Sequence, residues 1–240
     1  MLFTLSRLAC LCALLPLQTV VALEQTAAES SWVTNPESDD FCAGSYQSLK
    51  PSNDSNSAYI EADRSEFSFN EIATLQGNVV LRNQQQQVRA DSATYDIQKQ
   101  ILNLKGNLSV QGSGLILTGD SAVLSTDATT GIIESASYVL QEQGARGAAE
   151  RIERTGETSI RLEQGFYTHC PPGDNSWQVA AKSIEINHEK GMGVARNATV
   201  KVKDIPILVI PYLPFPVGDT RRSGVLWPSF GSASDASGID

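Results

Sequence analysis

Residues 88–97 read VRADSATYDI, and this stretch has four relatives in the chain. IEADRSEFSF occupies 60–69, LTGDSAVLST 117–126, GAAERIER 147–154 and VAAKSIEI 179–186. Aligned, their fourth positions are Asp63, Asp91, Asp120, Glu150 and Lys182, at steps of 28, 29, 30 and 32 residues. A period drifting around thirty residues marks a repeat-built architecture, in which each unit buries its apolar face against the next.

Within VRADSATYDI the apolar phase slips. Val88 and Ala90 share one parity, while Ala93, Tyr95 and Ile97 share the other. The same slip falls at Asp63-Arg64, Asp120-Ser121 and Lys182-Ser183. Side chains alternate along a strand with period two, so a one-residue slip predicts a bulge or a sharp corner. Aspartate suits such a corner because its side chain bonds nearby backbone N–H groups.

A second type of stretch lies between these. In LNLKGNLSV (102–110), Leu102, Leu104, Gly106, Leu108 and Val110 share one face, and Asn103, Lys105, Asn107 and Ser109 the other. LQGNVVL (75–81) repeats the pattern, SYVL supplies Tyr138 and Leu140, and ATVKV supplies Val200 and Val202. Each repeat therefore predicts two strands, and the whole about ten at ordinary strand length. With the corners in register, the prediction is an all-β fold: a V-shaped, jelly-roll-like or solenoid-like stack of bent antiparallel strands with its apolar columns inside. Ala62, Ala90, Ala93, Gly119, Ala122, Ala149 and Ala181 line the bend, where small residues let two walls meet. Phe67, Tyr95, Leu124 and Ile186 sit further out, where a groove would widen. Two fates are open to such columns, an ordinary dry core or a groove for acyl chains.

The 240 residues are 41% hydrophobic and 19% charged, which excludes a disordered chain or a helical membrane protein. MLFTLSR, the apolar run LACLCALLPL and the small residues ending at Ala22 read as a secretory signal peptide over 1–22. Its removal takes Arg7 and moves the net charge from −9 to −10. So acidic a chain is a poor binder of nucleic acid, which requires clustered Lys and Arg. Residues 23–58 form a polar arm that carries FCAGSY. Two cysteines remain beyond the leader, Cys42 and Cys170, in a compartment where disulfides persist. Either they pair with each other or each awaits a partner elsewhere. The repeats fill 59–204. Residues 205–240 carry Pro206, Pro211, Pro214, Pro216 and Pro228, which forbid a long helix or a central strand and suggest an extended linker. The text stops in mid-pattern at SDASGID, from which a further domain is expected.

Motifs for chemistry are missing. There is no GxxxxGK[ST] loop and no GxSxG elbow. His169 and His188 lack metal-ligand spacing, and Lys182 in the Asp63–Asp91–Asp120 column argues against a calcium ladder. Neither catalytic residues nor a cofactor are expected. Trp32, Trp177 and Trp227 are scattered and form no sugar-stacking row.

The leader, the FCAGSY arm, the Asp-Ala repeats and YLPFPVGDTRRSGVLWPSFG (212–231) together resemble the amino-terminal part of the lipopolysaccharide-assembly outer-membrane protein (LptD) family. The resemblance runs from about Phe41 to Asp240. It implies a periplasmic β-jelly roll whose apolar groove takes lipopolysaccharide from a periplasmic bridge of similar folds, joined by edge-strand pairing. It also implies delivery to a carboxy-terminal outer-membrane β-barrel plugged by a lipoprotein, with that barrel missing here. On this view the acyl chains touch Phe67, Tyr95, Ile97, Leu102, Leu104, Leu108, Val110, Leu124, Tyr138, Leu140, Ile186, Val200 and Val202. They slide because apolar contact is non-directional, at about 25 cal/mol per Å². In the family's enterobacterial members the amino-terminal cysteines, matched here by Cys42 and Cys170, bond to a cysteine pair in the barrel. Alternatives are a soluble bridge component of the same pathway, or a β-solenoid scaffold or adhesin whose columns are packed shut.

Overall fold

The computed structural model describes residues 32–34, 42, 44–47, 58–68, 71–83, 86–112, 114–127 and 129–217. The expected leader, much of the arm and the Arg221-Arg222 stretch lie outside them. Among the described residues every regular element is a strand. β1 (Trp32–Thr34) and β2 (Gly44–Tyr46) form a separate antiparallel pair. The remainder is one antiparallel sheet of twelve strands. It comprises β3 (Tyr59–Glu61), β4 (Arg64–Ser68), β5 (Ile72–Arg82), β6 (Gln86–Asp96), β7 (Ile101–Gly112) and β8 (Leu115–Ser125). It continues through β9 (Gly131–Leu140), β10 (Ala145–Arg154), β11 (Ser159–Thr168), β12 (Trp177–Asn187), β13 (Met192–Val202) and β14 (Ile205–Pro216). From β5 to β14 each strand pairs with the next in sequence, and β3 and β4 both pair with β5 as one broken edge.

The corner forms where the slip predicts it. Ala90 and Ala93 of β6 are both buried, with Asp91 exposed between them, and Ala181 and Ile184 flank Lys182 of β12 in the same way. The facing strands turn by a different device. On β7, Gly106 (φ +76°) and Asn107 (φ +45°) are both left-handed, and the ladder shifts register there against β6 and against β8. Gly77 (φ +74°) and Asn78 (φ +46°) do the same on β5. On β9, β11 and β13 a single left-handed residue suffices: Ser135, Gln164 or Asn197. The pairing passes those three corners without a shift.

Two sequence readings change here. Gly77 and Gly106 do not belong to the inward apolar face. The two-residue excursion happens to preserve parity, so Leu104 and Leu108 both end up inside and the alternation looks unbroken. Nor do the aspartates bond nearby backbone. Asp63 accepts from Asn78 Nδ2 at 3.0 Å, and Asp91 accepts from Asn107 Nδ2 at 2.9 and 3.2 Å. Each carboxylate thus clamps the bulge of the neighbouring strand. Glycine is required because a Cβ at 77 or 106 would overlap that carboxylate.

Bending every strand at one column folds the sheet into two walls. The first carries 92–96, 101–105, 121–125 and their counterparts, and the second 86–90, 108–112, 115–119 and theirs. Their inner faces meet in two apolar clusters. One joins Val79, Ala90, Ala93, Leu104, Leu108 and Ala122. The other joins Tyr138, Leu162, Val179, Ile184 and alanines 149, 181, 195 and 198.

The linker expected from Ile205 onward is instead, up to Pro216, a strand bonded to β13 along its length. Prolines fit because β14 is the edge of the sheet: a nitrogen without hydrogen is tolerated where it points away from the ladder. With β14, and with the first repeat's strand split into β3 and β4, the sheet exceeds the ten strands expected.

Candidate functional site

Alanines hold the corner and larger apolar side chains lie further along both walls, so the seam between the walls is graded. Leu104 (0% exposed) and Leu108 (1%) form its sealed base. Leu102, Val110 and Leu124 are partly buried against the first cluster, and Leu140, Ile186 and Val200 against the second. Tyr95 pairs with Leu102, and Leu102 with Leu124, which sets all three on one face of the first wall. Val202 pairs with Trp177 at the far end of the second wall.

Two expected seam residues are differently placed. Phe67 shares the inward parity of Ala73 and Tyr95, yet it is 75% exposed because β4 is the broken edge and no described strand lies beyond it. Ile97 has left β6 for the turn that follows and is exposed. Conversely, Ile152 and Ile160, in the irregular stretch between 141 and 165, were not anticipated and pack against the second cluster.

Tyr138 is the polar exception inside. It lies over Gly147, where a Cβ would strike its ring, and donates its hydroxyl to Phe166 O at 3.1 Å. Burial pushes its phenol well above the usual range, with Tyr167 adding to the effect. Nearby, Gly144 O can only accept, so His169 Nδ1 carries the hydrogen and donates at 3.0 Å. His169 Nε2 and the Tyr167 hydroxyl share a hydrogen bond of 2.7 Å. Burial raises the Tyr167 phenol as well. The imidazole stands edge-on to Tyr167 and 5.8 Å from the Trp177 ring, an aromatic rim at one end of the second wall.

The outer face of the second wall carries the arm. Ile116 (2% exposed) and Val139 (3%) point away from the seam, and Trp32 and Tyr46 cover them. Those two rings pack edge to face at 4.8 Å, and burial raises the Tyr46 phenol, an effect that the nearby Arg146 partly offsets. The sequence signal was the unbroken run Leu115-Ile116-Leu117, apolar on both faces where a half-wet strand would alternate. Cys42 and Cys170 are joined by a disulfide. Arg146 steadies the loop beyond it by donating to the carbonyls of Cys170 (2.9 Å), Pro171 (3.1 Å) and Asp174 (2.7 Å). Cys42, Cys170 and Asp174 offer atoms within 4.8 Å of one another, but a disulfide leaves neither sulfur as a thiolate ligand.

The arrangement provides apolar lining, two sheet edges that are unpaired among the described residues, and an external strap. The family described as LptA/(LptD N-terminal domain) LPS transport protein matches residues 59–192. An LPS-assembly protein LptD of Saccharophagus degradans is 38% identical over 205 residues, which cover 83% of this chain and 24% of that protein. An LPS-assembly protein LptD of Pseudomonas fluorescens is 39% identical over 207 residues, 83% of this chain and 22% of that protein. The chain thus spans about a quarter of the length of these relatives. The solved structure of LptH, described as the LptA-homologous periplasmic component of lipopolysaccharide transport in Pseudomonas aeruginosa, overlaps 50% of this chain and 87% of its own. At 13% identity and a TM-score of 0.39 that overlap is too loose to bear on the fold.

Proposed function

Since the chain belongs to the LptA/LptD amino-terminal-domain family of lipopolysaccharide transport proteins, we propose that it is the periplasmic lipid-conduit segment of an outer-membrane lipopolysaccharide-assembly protein. It acts as a carrier and not as a catalyst. The leader exports it, lipopolysaccharide reaches it from a periplasmic bridge protein, and it hands the lipid to a following barrel held with a lipoprotein plug. The observation that carries the reading is the graded apolar seam, from alanines at the corner to half-buried Leu102, Leu124, Leu140, Ile186 and Val200 outside it. Acyl chains would lie along the outer part of this seam, parting side chains that are packed but not sealed. Phosphates and sugars would stay in water. Sealed Leu104 and Leu108 serve as its floor.

The two edges differ in what they offer a bridge. β3 and β4 contain no proline and expose Tyr59, Ile60 and Phe67, so their free backbone groups suit an added strand. β14 carries prolines at the free edge and is a poor template. The β3–β4 edge is therefore the bridge side.

The test is a photo-crosslinking amino acid at Leu102, with Asn103 on the opposite face as control, in the full-length protein in cells. A lipopolysaccharide adduct at 102 and none at 103 is expected. Adducts at neither, with normal protein levels, would mean that the seam is a closed core.

A further inference from the structure

β14 is unlike the other strands. From Ile205 to Val217 the chain has no charged residue; Ile210, Leu213 and Phe215 pack against the second cluster, but the first half of the strand leaves its apolar side chains exposed on both faces. Val209 pairs with Thr199 on the outer face, and Ile205 and Leu208 pair with Val202 and Val200 on the inner one. Ile207 is the extra residue where the ladder with β13 shifts. Ile205 is 66% exposed and Val209 65%, and Ile207, Leu208 and Tyr212 are also exposed. A strand meant for water on one side keeps that side polar. Apolar residues on both faces of an edge call for apolar surroundings on every side.

The backbone narrows the occupant. Pro206, Pro214 and Pro216 are paired with Lys201, Val194 and Met192. Without an N–H they fit the ladder only where the nitrogen faces the free edge. Those prolines remove donors that an added protein strand would need. They also remove donors that hydrocarbon would leave unsatisfied at a cost of several kcal/mol each. An edge with its donors thinned in this way is a poor template for a strand partner and less costly to place against lipid.

Charge points the same way. The whole chain carries −9, yet between Met192 and Val217 there are Arg196, Lys201 and Lys203 against Asp204 alone, a local balance of +2. Lys201 lies on the outer face with Thr199 and Val209. Lysines around an apolar strip match an anionic phospholipid surface. We propose that β14 is a membrane-docking edge, with Ile205, Ile207 and Val209 seated among the lipids of an anionic bilayer and Lys201 and Lys203 at its headgroups.

The chain, purified after export with its amino terminus determined, is floated with vesicles of phosphatidylethanolamine and phosphatidylglycerol. Ile207→Asn with Val209→Asn should lower the floating fraction at least fivefold, and Lys201→Glu with Lys203→Glu should abolish the dependence on phosphatidylglycerol. Ile60→Asn with Phe67→Asn, at the opposite edge, should leave flotation unchanged. Circular dichroism and an intact disulfide verify folding, and each exposed residue is also changed singly. The proposal is overturned if the native chain does not float, or if the β14 and β3–β4 variants float alike. It also fails if light scattering shows a dimer lost with Ile207→Asn, or if crosslinks place residues 218–240 over β14. The seam reading is unaffected by any of these, because its readout is the adduct at Leu102.

Discussion

Gly106→Ala tests the corner that makes the double wall. Two costs add at this position. At φ +76° an L side chain is strained by about 1–2 kcal/mol. The new Cβ would also overlap Asp91 Oδ2 and lie 2.8 Å from Asp91 Cγ and 2.9 Å from its Cβ. The carboxylate must move, which gives up its bonds to Asn107 at about 1 kcal/mol or more. The sum is roughly 2–4 kcal/mol, and at about 2–4 °C per kcal/mol for a domain of this size the melting point should fall by about 4–16 °C. Gly144→Ala isolates the first cost, since φ is +61° but nothing lies within 4 Å of its Cβ. It should cost about 1–2 kcal/mol. Asp91→Ala removes the oxygens and Cγ but leaves its own Cβ in the way. It should cost about 0.5–1.5 kcal/mol alone and partly rescue Gly106→Ala, so the double variant is milder than the sum. Urea unfolding and differential scanning calorimetry provide the cycle. If Gly106→Ala matches Gly144→Ala, or the double variant is additive within about 0.5 kcal/mol, the clamp described for Asp91 is wrong.

Three further outcomes are expected. Leu104→Ala, at a fully buried site, should destabilise by about 2–5 kcal/mol, while Phe67→Ala at the broken edge should change urea stability by less than about 0.5 kcal/mol. Reducing Cys42–Cys170 frees a loop closed across 128 residues of sequence. It should lower stability by about 2–5 kcal/mol and make Trp32 accessible to an aqueous quencher. The phenols of Tyr46, Tyr138 and Tyr167 are raised by burial, so the stability they contribute is whole below about pH 10 and fades as pH climbs towards their folded values. Tyr138→Phe should flatten the decline in urea midpoint above pH 10; an unchanged slope would show that Tyr138 ionises in the fold as freely as outside it.

The corner was legible because its residues are chemically specific. A charged residue that breaks an apolar phase at the same column of successive repeats leaves few other readings. The role of Gly106 was not legible, since a two-residue excursion restores parity and hides from any period-two test. β14 was misread because proline excludes a central strand but not an edge, and only the strand order shows which it is. The seam's apolar columns were visible as far as Leu102, Leu108 and Val200. Phe67 and Ile97 carry the same pattern and differ only in what stands beside them, which is a property of the sheet's boundary. The packing of Trp32 and Tyr46 on Ile116 and Val139 joins segments some seventy or more residues apart, and no local pattern specifies such a pairing.

The two designs of corner also bear on how such a chain can change length over generations. On β7 the turn is Lys105-Gly106-Asn107, and on β13 it is Arg196-Asn197. Removing Gly106 would convert the first into the second, with both walls still facing as before. Removing Ser109, three positions on, would turn the rest of the strand inside out. The bend is thus a joint where the gene can gain or lose one codon without disturbing either wall. Single-residue gaps between kindred sequences should collect there and in the hairpin tips, and a Gly106 deletion should be better tolerated than a Ser109 deletion.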